Sequence, residues 1–512
     1  MRIVVEFLKT TLTGLLEKLN QWEEASPRSK KNSWYRSEFH FPTWVVGLVS
    51  SILLYVALFL GGEFNVAQSL VLALFVLIVS VLFSVYLHRD QKTLVDNDDA
   101  IALLGVVFLF TLILIEVFAH FPKKVFHLSP YLTPISLAPL IICLLLNQRL
   151  AIVLSFVISL IFGIANQFSL SIVMVGAFGG VTMVAAASKA KSANQVAQAG
   201  IITGVVQVLI VIFLGIILGW SKKHFIETMG ASFLSGIIAS VLGLGFLPFL
   251  ESFFSRISNL RLVELASGNH PLLKKMSLEA PGTYHHSLIM ASLAEDAAHA
   301  IGANGLLCRV GAYFHDIGKM VKPEYFIENQ GALGNPHDQV SPSLSRLVIT
   351  SHIKEGLAIA KEYNLDPQII DFIPMHHGTS KIEYFYLKAL NLEAQEEDDE
   401  REEIKEESYR YPGPRPHSKE TAIVMLADSV EAASRTLEEP NHQRYKDLVS
   451  KLINRKLADG QLSDTPLTLR DLKIIAERFT STLSSIHHSR IAYPEAKASK
   501  ENKNPEDNFP LS

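Results

Sequence analysis

The sequence is poor in cysteine and, over a long stretch, poor in charge. Its two cysteines, Cys143 and Cys308, are too few and too far apart for a disulfide framework, and this fits a reducing compartment for the second half of the chain. Between Thr43 and Ser252, only 17 of 210 residues are Asp, Glu, Lys or Arg, about 8% against about 26% elsewhere. So long a stretch with so few charges must be core or lipid-facing. A purely soluble enzyme is therefore excluded.

A strongly basic surface is also lacking. The net charge is −4, whereas grooves that bind DNA or RNA polymers carry clustered Lys and Arg. We therefore expect no polymeric nucleic acid as a partner, although a small charged ligand fits this composition. The composition leaves assembly into a homo-oligomer open.

The charge-poor stretch divides into eight apolar runs, each close to the length that crosses a bilayer. They are residues 43–61, 66–88, 100–119, 128–146, 150–167, 168–187, 199–219 and 229–252. Residues 150–187 are predicted to form two helices, because Asn166 and Gln167 supply a polar break and one helix of that length would overrun the bilayer. An even number of spans places both ends of the chain on one side.

Basic residues indicate which side that is. Lys and Arg are frequent before the first run and recur in alternate loops, which the positive-inside rule assigns to the cytoplasm. Two loops oppose this orientation, the one with Lys123 and Lys124 and the one with Lys222 and Lys223. Glu116, inside the third run, is either a proton or ligand site or a carboxylate that reaches the interface near the end of its helix.

After Leu260, apolar residues recur at the spacing of helices, and almost nothing is typical of strands. The predicted fold is all-α, a multi-pass transmembrane bundle followed by a cytoplasmic helical domain. The predicted divisions are a cytoplasmic segment without signal-peptide character at 1–42, an anchor at 43–62, a seven-helix membrane domain at 66–254, a soluble domain at 260–490 with an acidic, solvated or disordered insertion at 393–408, and a disordered tail at 491–512.

Seven His and Asp residues of the soluble domain lie in or near the ends of apolar helical runs: His286, His315, Asp316, His352, His376, His377 and Asp428. A single histidine in such a place is ordinarily a capping or core residue. Five imidazoles with two carboxylates instead predict a site for two divalent ions, and without thiolates the set suits Mn, Fe, Zn or Co. Because adjacent residues lie about 100° apart on a helix, Asp316 is predicted to bridge the two ions.

The segments that carry these residues resemble the seven-transmembrane HD phosphohydrolases, the PgpH-type cyclic di-AMP phosphodiesterases of bacteria, over about residues 66–490. The matching segments are Glu279 to Ser287, Val310 to Met320, His376 to Ser380 and Ala422 to Ala433. The resemblance implies an HD domain in which His286, His315, Asp316 and Asp428 hold one metal, and Asp316, His352, His376 and His377 hold a second. It also implies a bacterial inner membrane and two Mn or Fe ions.

Two departures from the family pattern matter. The family usually has a large extracytoplasmic domain between its first span and the next seven, whereas only Gly61 to Asn65 separates the first two runs here. We therefore expect sensing by such a domain to be lost. Relatives that hydrolyse cyclic di-GMP carry Gly-Tyr-Pro after the paired histidines, and this chain has Gly378-Thr379-Ser380. This favours cyclic di-AMP as the substrate, opened to linear pApA.

Lys319, one turn after Asp316, is the predicted cation that stabilises charge on the attacked phosphate. A second pair, His337 and Asp338, lies in a polar loop and is interpreted as a lid contact rather than a metal ligand. Lys322, Arg346 and Lys381 are candidate phosphate contacts and are interpreted as surface charges. Three alternatives stay open: an HD hydrolase of another nucleotide (cyclic di-GMP, guanosine tetraphosphate or a triphosphate), a non-catalytic nucleotide receptor, and a transporter with a regulatory domain.

Overall fold

The structure, a computed structural model, describes residues 66–95, 97–120, 129–330, 334–395 and 404–486. The membrane half contains α1 (Val66–Asp90), α2 (Lys92–Val95), α3 (Asp98–His120), α4 (Leu137–Leu145), α5 (Gln148–Ala165), α6 (Leu170–Ala187), α7 (Ala193–Ile217) and α8 (Lys222–Phe253). The second half contains α9 (Asn259–Leu265), α10 (Pro271–Glu279), α11 (Pro281–Ala300), α12 (Gly305–Phe314), α13 (Pro342–Glu362), α14 (Pro367–Ile370), α15 (Phe372–Met375), α16 (Glu383–Glu393), α17 (Lys419–Ser434), α18 (His442–Ala458) and α19 (Leu469–Ile486). In the described residues, the sole strand-like pairing is an isolated bridge between Lys381 and Arg410. The all-α prediction is confirmed.

Six of the described helices, α1, α3 and α5 to α8, are long and apolar enough to cross a membrane. Their outward faces expose large apolar side chains such as Leu70, Ile216 and Phe249, which is the pattern of lipid contact. The chain is therefore a multi-pass membrane protein. Residues 150–187 form two helices, as predicted, with Asn166 at the end of α5 and a tight turn before α6.

The predicted span at 128–146 is wrong as a continuous helix. A 3₁₀ turn (Pro130–Leu132) is followed by irregular backbone and then by α4, which has only nine residues. Tyr131 contacts Trp220 at one end of the bundle, and Asn147 donates a hydrogen bond to Gln91 at the other, so the broken segment still runs the length of the bundle.

The reason for the break is local sequence and burial. Pro134 lacks a backbone N–H and disfavours a helix at the preceding residue, and the Thr133 hydroxyl donates to the carbonyl of Pro130. Residues from Thr133 to Ile142 are almost all buried among the other helices, and Ser235 of α8 donates to the carbonyl of Thr133. Irregular backbone at membrane depth is tolerated when it is enclosed by protein in this way.

Small residues bring the membrane helices together. A Cβ placed on Gly236 of α8 would lie 2.6 Å from both the carbonyl oxygen of Gly200 and the amide nitrogen of Gly204 on α7. Backbones in contact maximise dispersion, which replaces the hydrophobic effect as the driving force inside a bilayer.

The second half packs around α11, α12 and α17, whose buried side chains meet those of α18 and α19 in one apolar core. One contact ties it to the segment just after α8, where Gln368 donates to the carbonyl of Ser255. Within the second half, Arg261 of α9 pairs with Asp366 at 3.2 Å.

Several predictions fall outside the described residues: the segment 1–42, the anchor at 43–62, the tail at 491–512, and the centre of the acidic insertion. The end of that insertion is ordered, because Glu406–Tyr409 forms a 3₁₀ turn and Glu406 pairs with Lys381 and Arg410. Glu407 and Ser408 are exposed, so this end is solvated but not disordered. Glu116 lies in α3, and its side chain is outside the description.

Candidate metal centre

All seven predicted His and Asp residues converge at one place. They come from α11 (His286), the end of α12 (His315, Asp316), α13 (His352), the turn after α15 (His376, His377) and α17 (Asp428). All except His377 are buried, and the side chain of His377 is 20% exposed. The convergence follows from the core packing of α11, α12 and α17, which aims one polar face of each helix at a shared point.

Asp316 lies between two groups of histidines. Its Oδ2 is 3.0 Å from Nε2 of His315, and its Oδ1 is 3.5 Å from Nε2 of His352 and 3.4 Å from Nε2 of His376. The two oxygens of one carboxylate therefore face different groups, which is the arrangement that a bridging ligand needs.

Three of the rings are oriented by backbone. His315, His352 and His376 donate from Nδ1 to the carbonyl oxygens of the residues three positions earlier, at 2.7, 2.6 and 2.7 Å. Their Nε2 atoms are left to face the centre. Nε2 of His352 and Nε2 of His376 lie 3.4 Å apart. In neutral rings that donate from Nδ1, each of these nitrogens carries a lone pair, so the two repel each other. A cation bound between them would remove this repulsion.

Burial sets the protonation of most of the site. It lowers the pKa of His315, lowers the pKa of His352 to about 3, and holds the pKa of His377 well below its ordinary value. These rings are neutral at pH 7, which is the form that binds metals. Burial also disfavours the charged form of Asp428, but His286 and the other histidines outweigh it and lower the pKa of this carboxyl.

His286 is the exception. Burial alone would lower its pKa, yet its hydrogen bonds to Asp428 and Glu431 raise the pKa to about 9. Nε2 is 3.1 Å from Oδ1 of Asp428, and Nδ1 is 2.5 Å from Oε2 of Glu431. Without a metal this ring is a cation at pH 7, so a metal ion at Nε2 would take the place of a proton.

The donors fit divalent ions. Ligand atoms of His286, His315 and Asp316 lie within 4.8 Å of one another, and so do those of His352, His376 and His377. The approach of His315 to Asp316 lacks hydrogen-bond geometry, and the buried Nε2 of His315 has no hydrogen-bond partner among the described residues. Imidazole nitrogens and carboxylate oxygens without thiolates suit Mn, Fe, Zn or Co.

Lys319 lies beside the centre in a 3₁₀ turn (Ile317–Val321). Its Nζ is 2.7 Å from Oδ2 of Asp316 and 2.8 Å from Oε1 of Glu328, and it lies over the ring of Phe326. Burial opposes the charge, but the two carboxylates raise the pKa of Lys319 well above its usual value. The side chain is a fixed cation at the edge of the site.

A cavity of about 470 Å³ opens onto the centre, within the size range of small-ligand sites. Its wall carries aromatic side chains and two cations, Lys319 and Arg435. The aromatic residues are Tyr325, Phe326, Tyr384, Phe385 and Tyr411. Tyr411 stacks on His377 with ring centroids 4.1 Å apart. Flat apolar faces beside cations and a metal centre suit a nucleotide, whose bases stack and whose phosphates are anionic.

Four residues beside the centre or its cavity were not predicted from the sequence: Glu328, Tyr411, Glu431 and Arg435. For Glu431 and Arg435 the sequence did contain an indication, because they lie three and seven residues after Asp428 and so share its face of α17. Glu328 and Tyr411 had none, because each reaches the cavity from a loop that only the tertiary fold places there.

The loop pair His337 and Asp338 belongs to neither ligand group. His337 is buried in the cavity wall, where its Nε2 bonds the carbonyl of Tyr325 at 3.0 Å. Asp338 is exposed. Lys322, Arg346 and Lys381 are not among the residues that line the cavity, and Lys381 pairs with Glu406 instead.

Comparison with known proteins gives matches for both halves. Residues 66–258 match the model of the 7TM receptor with intracellular HD hydrolase, and residues 283–433 match the HD domain. The chain belongs to the seven-transmembrane HD family. Members similar to it include the cyclic-di-AMP phosphodiesterase PgpH of Bacillus subtilis, 39% identical over 421 residues, or 80% of this chain and 58% of that protein. PgpH of Listeria monocytogenes is 34% identical over 442 residues, or 86% of this chain and 60% of that protein.

The chain thus spans about three fifths of the length of these curated relatives. The HD domain of L. monocytogenes PgpH, in a crystal structure in complex with cyclic-di-AMP, is 45% identical, and the match covers 43% of this chain and all of that one with a TM-score of 0.41.

Proposed function

We propose that this member of the seven-transmembrane HD family is a membrane-bound, metal-dependent phosphodiesterase that hydrolyses cyclic di-AMP to linear pApA. The observation that carries the proposal is the position of Asp316, whose two oxygens face two separate groups of histidines beside one cavity. The names of the curated relatives support the substrate, and so does the Gly378-Thr379-Ser380 sequence after the paired histidines.

The proposed ligands of the first ion are His286, His315, Asp316 and Asp428, and those of the second are Asp316, His352, His376 and His377. We propose Mn or Fe, which this nitrogen and oxygen set suits. Two bound divalent ions would supply a water nucleophile at neutral pH and electrophilic assistance to the phosphate. The chain's part is to hold the ligands in place from five elements and to keep the rings of His315, His352 and His377 neutral by burial.

The reaction adds the oxygen of water to phosphorus and breaks the bond between phosphorus and a ribose 3′ oxygen, which leaves with a proton. Lys319 is placed to stabilise the negative charge that grows on the phosphate, because its Nζ lies 2.7 Å from the bridging carboxylate. The aromatic wall around Tyr411 would stack the bases and exclude water from them.

The proposed placement has the HD domain, at 260–490, on the cytoplasmic side of a bacterial inner membrane. The Lys and Arg of alternate loops support this side, and so do Arg256 and Arg261, which follow directly after α8 at the start of the HD domain.

The test uses the full chain in lipid nanodiscs, loaded with Mn and offered cyclic di-AMP, cyclic di-GMP, guanosine tetraphosphate and ATP, with products separated by chromatography. We expect pApA from cyclic di-AMP, and none from the variant Asp316→Asn. Asp447→Asn, an exposed acid on α18 that is outside both ligand groups and outside the cavity lining, is the matched control and should be active.

Hydrolysis of another nucleotide in place of cyclic di-AMP would contradict the substrate, and binding of nucleotide without any hydrolysis would favour a receptor. Full activity of Asp316→Asn would contradict the bridging role.

A further inference from the structure

Glu431 holds His286 in a way that no other predicted ligand is held. His315, His352 and His376 each donate from Nδ1 to a backbone carbonyl of their own helix or turn. His286 instead donates from Nδ1 to the Glu431 carboxylate, at 2.5 Å. A carboxylate behind a metal-binding imidazole fixes the ring and makes its other nitrogen a stronger ligand than a carbonyl does.

Glu431 is itself fixed. Glu431 is only 2% exposed. The second oxygen of its carboxylate, Oε1, accepts hydrogen bonds from Nε of Arg435 at 2.8 Å and from Nη2 of Arg435 at 2.6 Å. Arg435 is one turn further along α17 and reaches the wall of the cavity. One carboxylate therefore bonds a predicted metal ligand with one oxygen and a cavity cation with the other.

The spacing on α17 produces this arrangement. Asp428, Glu431 and Arg435 follow at three and four residues, so all three lie on one face of the helix. Asp428 approaches Nε2 of His286 while Glu431 approaches Nδ1. Two carboxylates of α17 therefore contact the two nitrogens of a ring carried by α11.

We propose that Glu431 is a positioning residue for the metal centre. It fixes His286 with Nε2 toward the first ion and strengthens that ligand. It also holds Arg435 in the cavity wall, where the guanidinium can bind a substrate phosphate. The proposal rests on the proposed metal function of this site. It predicts separate consequences for metal binding and for substrate binding, because the two oxygens of Glu431 have different partners.

The variants separate these roles. Glu431→Ala removes both bonds, and we expect Mn affinity to fall by ten- to a hundredfold, the usual effect of losing such an outer partner. Arg435→Ala leaves His286 and Glu431 in contact, so KM for cyclic di-AMP should rise while Mn affinity stays close to that of the wild type. Glu431→Asp keeps the charge but shortens the side chain, and should recover part of the Mn affinity.

Asp296→Ala is the matched control. Asp296 lies on the same helix as His286 and also accepts two bonds from one arginine, Arg478, but at the surface and away from the cavity. A loss of stability alone would appear in both variants, whereas the loss of Mn affinity should appear only for Glu431→Ala. Glu431→Gln serves if the alanine variant does not fold.

The measurement is Mn binding to the metal-free full chain in nanodiscs by calorimetry, with kcat and KM measured separately at saturating Mn. Unchanged Mn affinity in Glu431→Ala or Glu431→Gln would overturn the inference, and so would a wild type that binds no Mn. A wild type that binds Mn but does not hydrolyse cyclic di-AMP would contradict the proposed function, while reduced Mn affinity in Glu431→Ala would still support the inference.

Discussion

Replacing Gly318 by alanine should disable the centre without changing any of the proposed metal ligands. Gly318 lies two residues after Asp316, in the turn on which α13 packs. A Cβ built on it would overlap the carbonyl oxygen of His352 and lie 2.5 Å from the amide nitrogen of Gly356. Neither neighbour is a flexible side chain, so α13 must move away from Asp316, by about 1 Å, to restore ordinary contact.

That shift is large for this site. His352 is carried by α13, and its Nε2 is 3.5 Å from Oδ1 of Asp316. Metal–ligand distances hold within about 0.2 Å, and a misplacement of about 1 Å in a catalytic site costs about a hundredfold in rate. We therefore expect kcat/KM for cyclic di-AMP to fall about a hundredfold, or about 3 kcal/mol of transition-state stabilisation, with loss of the second ion and retention of the first.

The assay is pApA formation by the full chain, together with the metal content measured by mass spectrometry. Gly268→Ala is the control, because a Cβ there meets nothing within 4 Å. If Gly318→Ala kept the wild-type kcat/KM and both ions, the packing of α13 on the turn after Asp316 would not position His352 as described.

Three further outcomes follow from other parts of the molecule. The pKa of metal-free His286 is raised to about 9, so below that pH Mn must displace a proton from this ring. Calorimetry should then show the Mn affinity falling about tenfold for each pH unit below 9. A flat profile from pH 9 to 7 would contradict this. Lys319→Met removes the cation beside Asp316, so kcat should fall by a hundredfold or more while Mn binding is kept, and an unchanged kcat would exclude its role in charge stabilisation. Gly236→Ala should separate α7 from α8 and lower the midpoint of thermal unfolding of the detergent-solubilised chain. Gly230→Ala, where a Cβ meets open space, should leave that midpoint unchanged. Equal midpoints for the two variants would argue against this glycine contact.

Much of the architecture could be predicted from the sequence because bilayer thickness imposes the length of apolar runs. The pair α5 and α6 followed from a polar break at Asn166. The broken span around Pro134 did not, because hydropathy measures burial without distinguishing a continuous helix from an irregular segment enclosed by others. The one local signal was Pro134, which disfavours a helix at the residue before it.

The centre could be anticipated because its residues stand in short motifs whose chemistry is distinctive. What the sequence could not supply is the direction of each ring. Whether Nδ1 of a histidine meets a carbonyl, as in His352, or a carboxylate, as in His286, depends on which helix lies behind it. The contact of Glu328 with Lys319 likewise depends on how the loop after α12 folds back over α11.

The most direct test of a two-metal phosphodiesterase is a titration of the metal-free full chain with Mn while pApA formation from cyclic di-AMP is followed. With a two-metal site we expect a negligible rate up to the first equivalent, a rise with the second, and a plateau at two ions per chain. A rate that reaches its plateau at one ion, or that persists in the presence of a chelator, would contradict it.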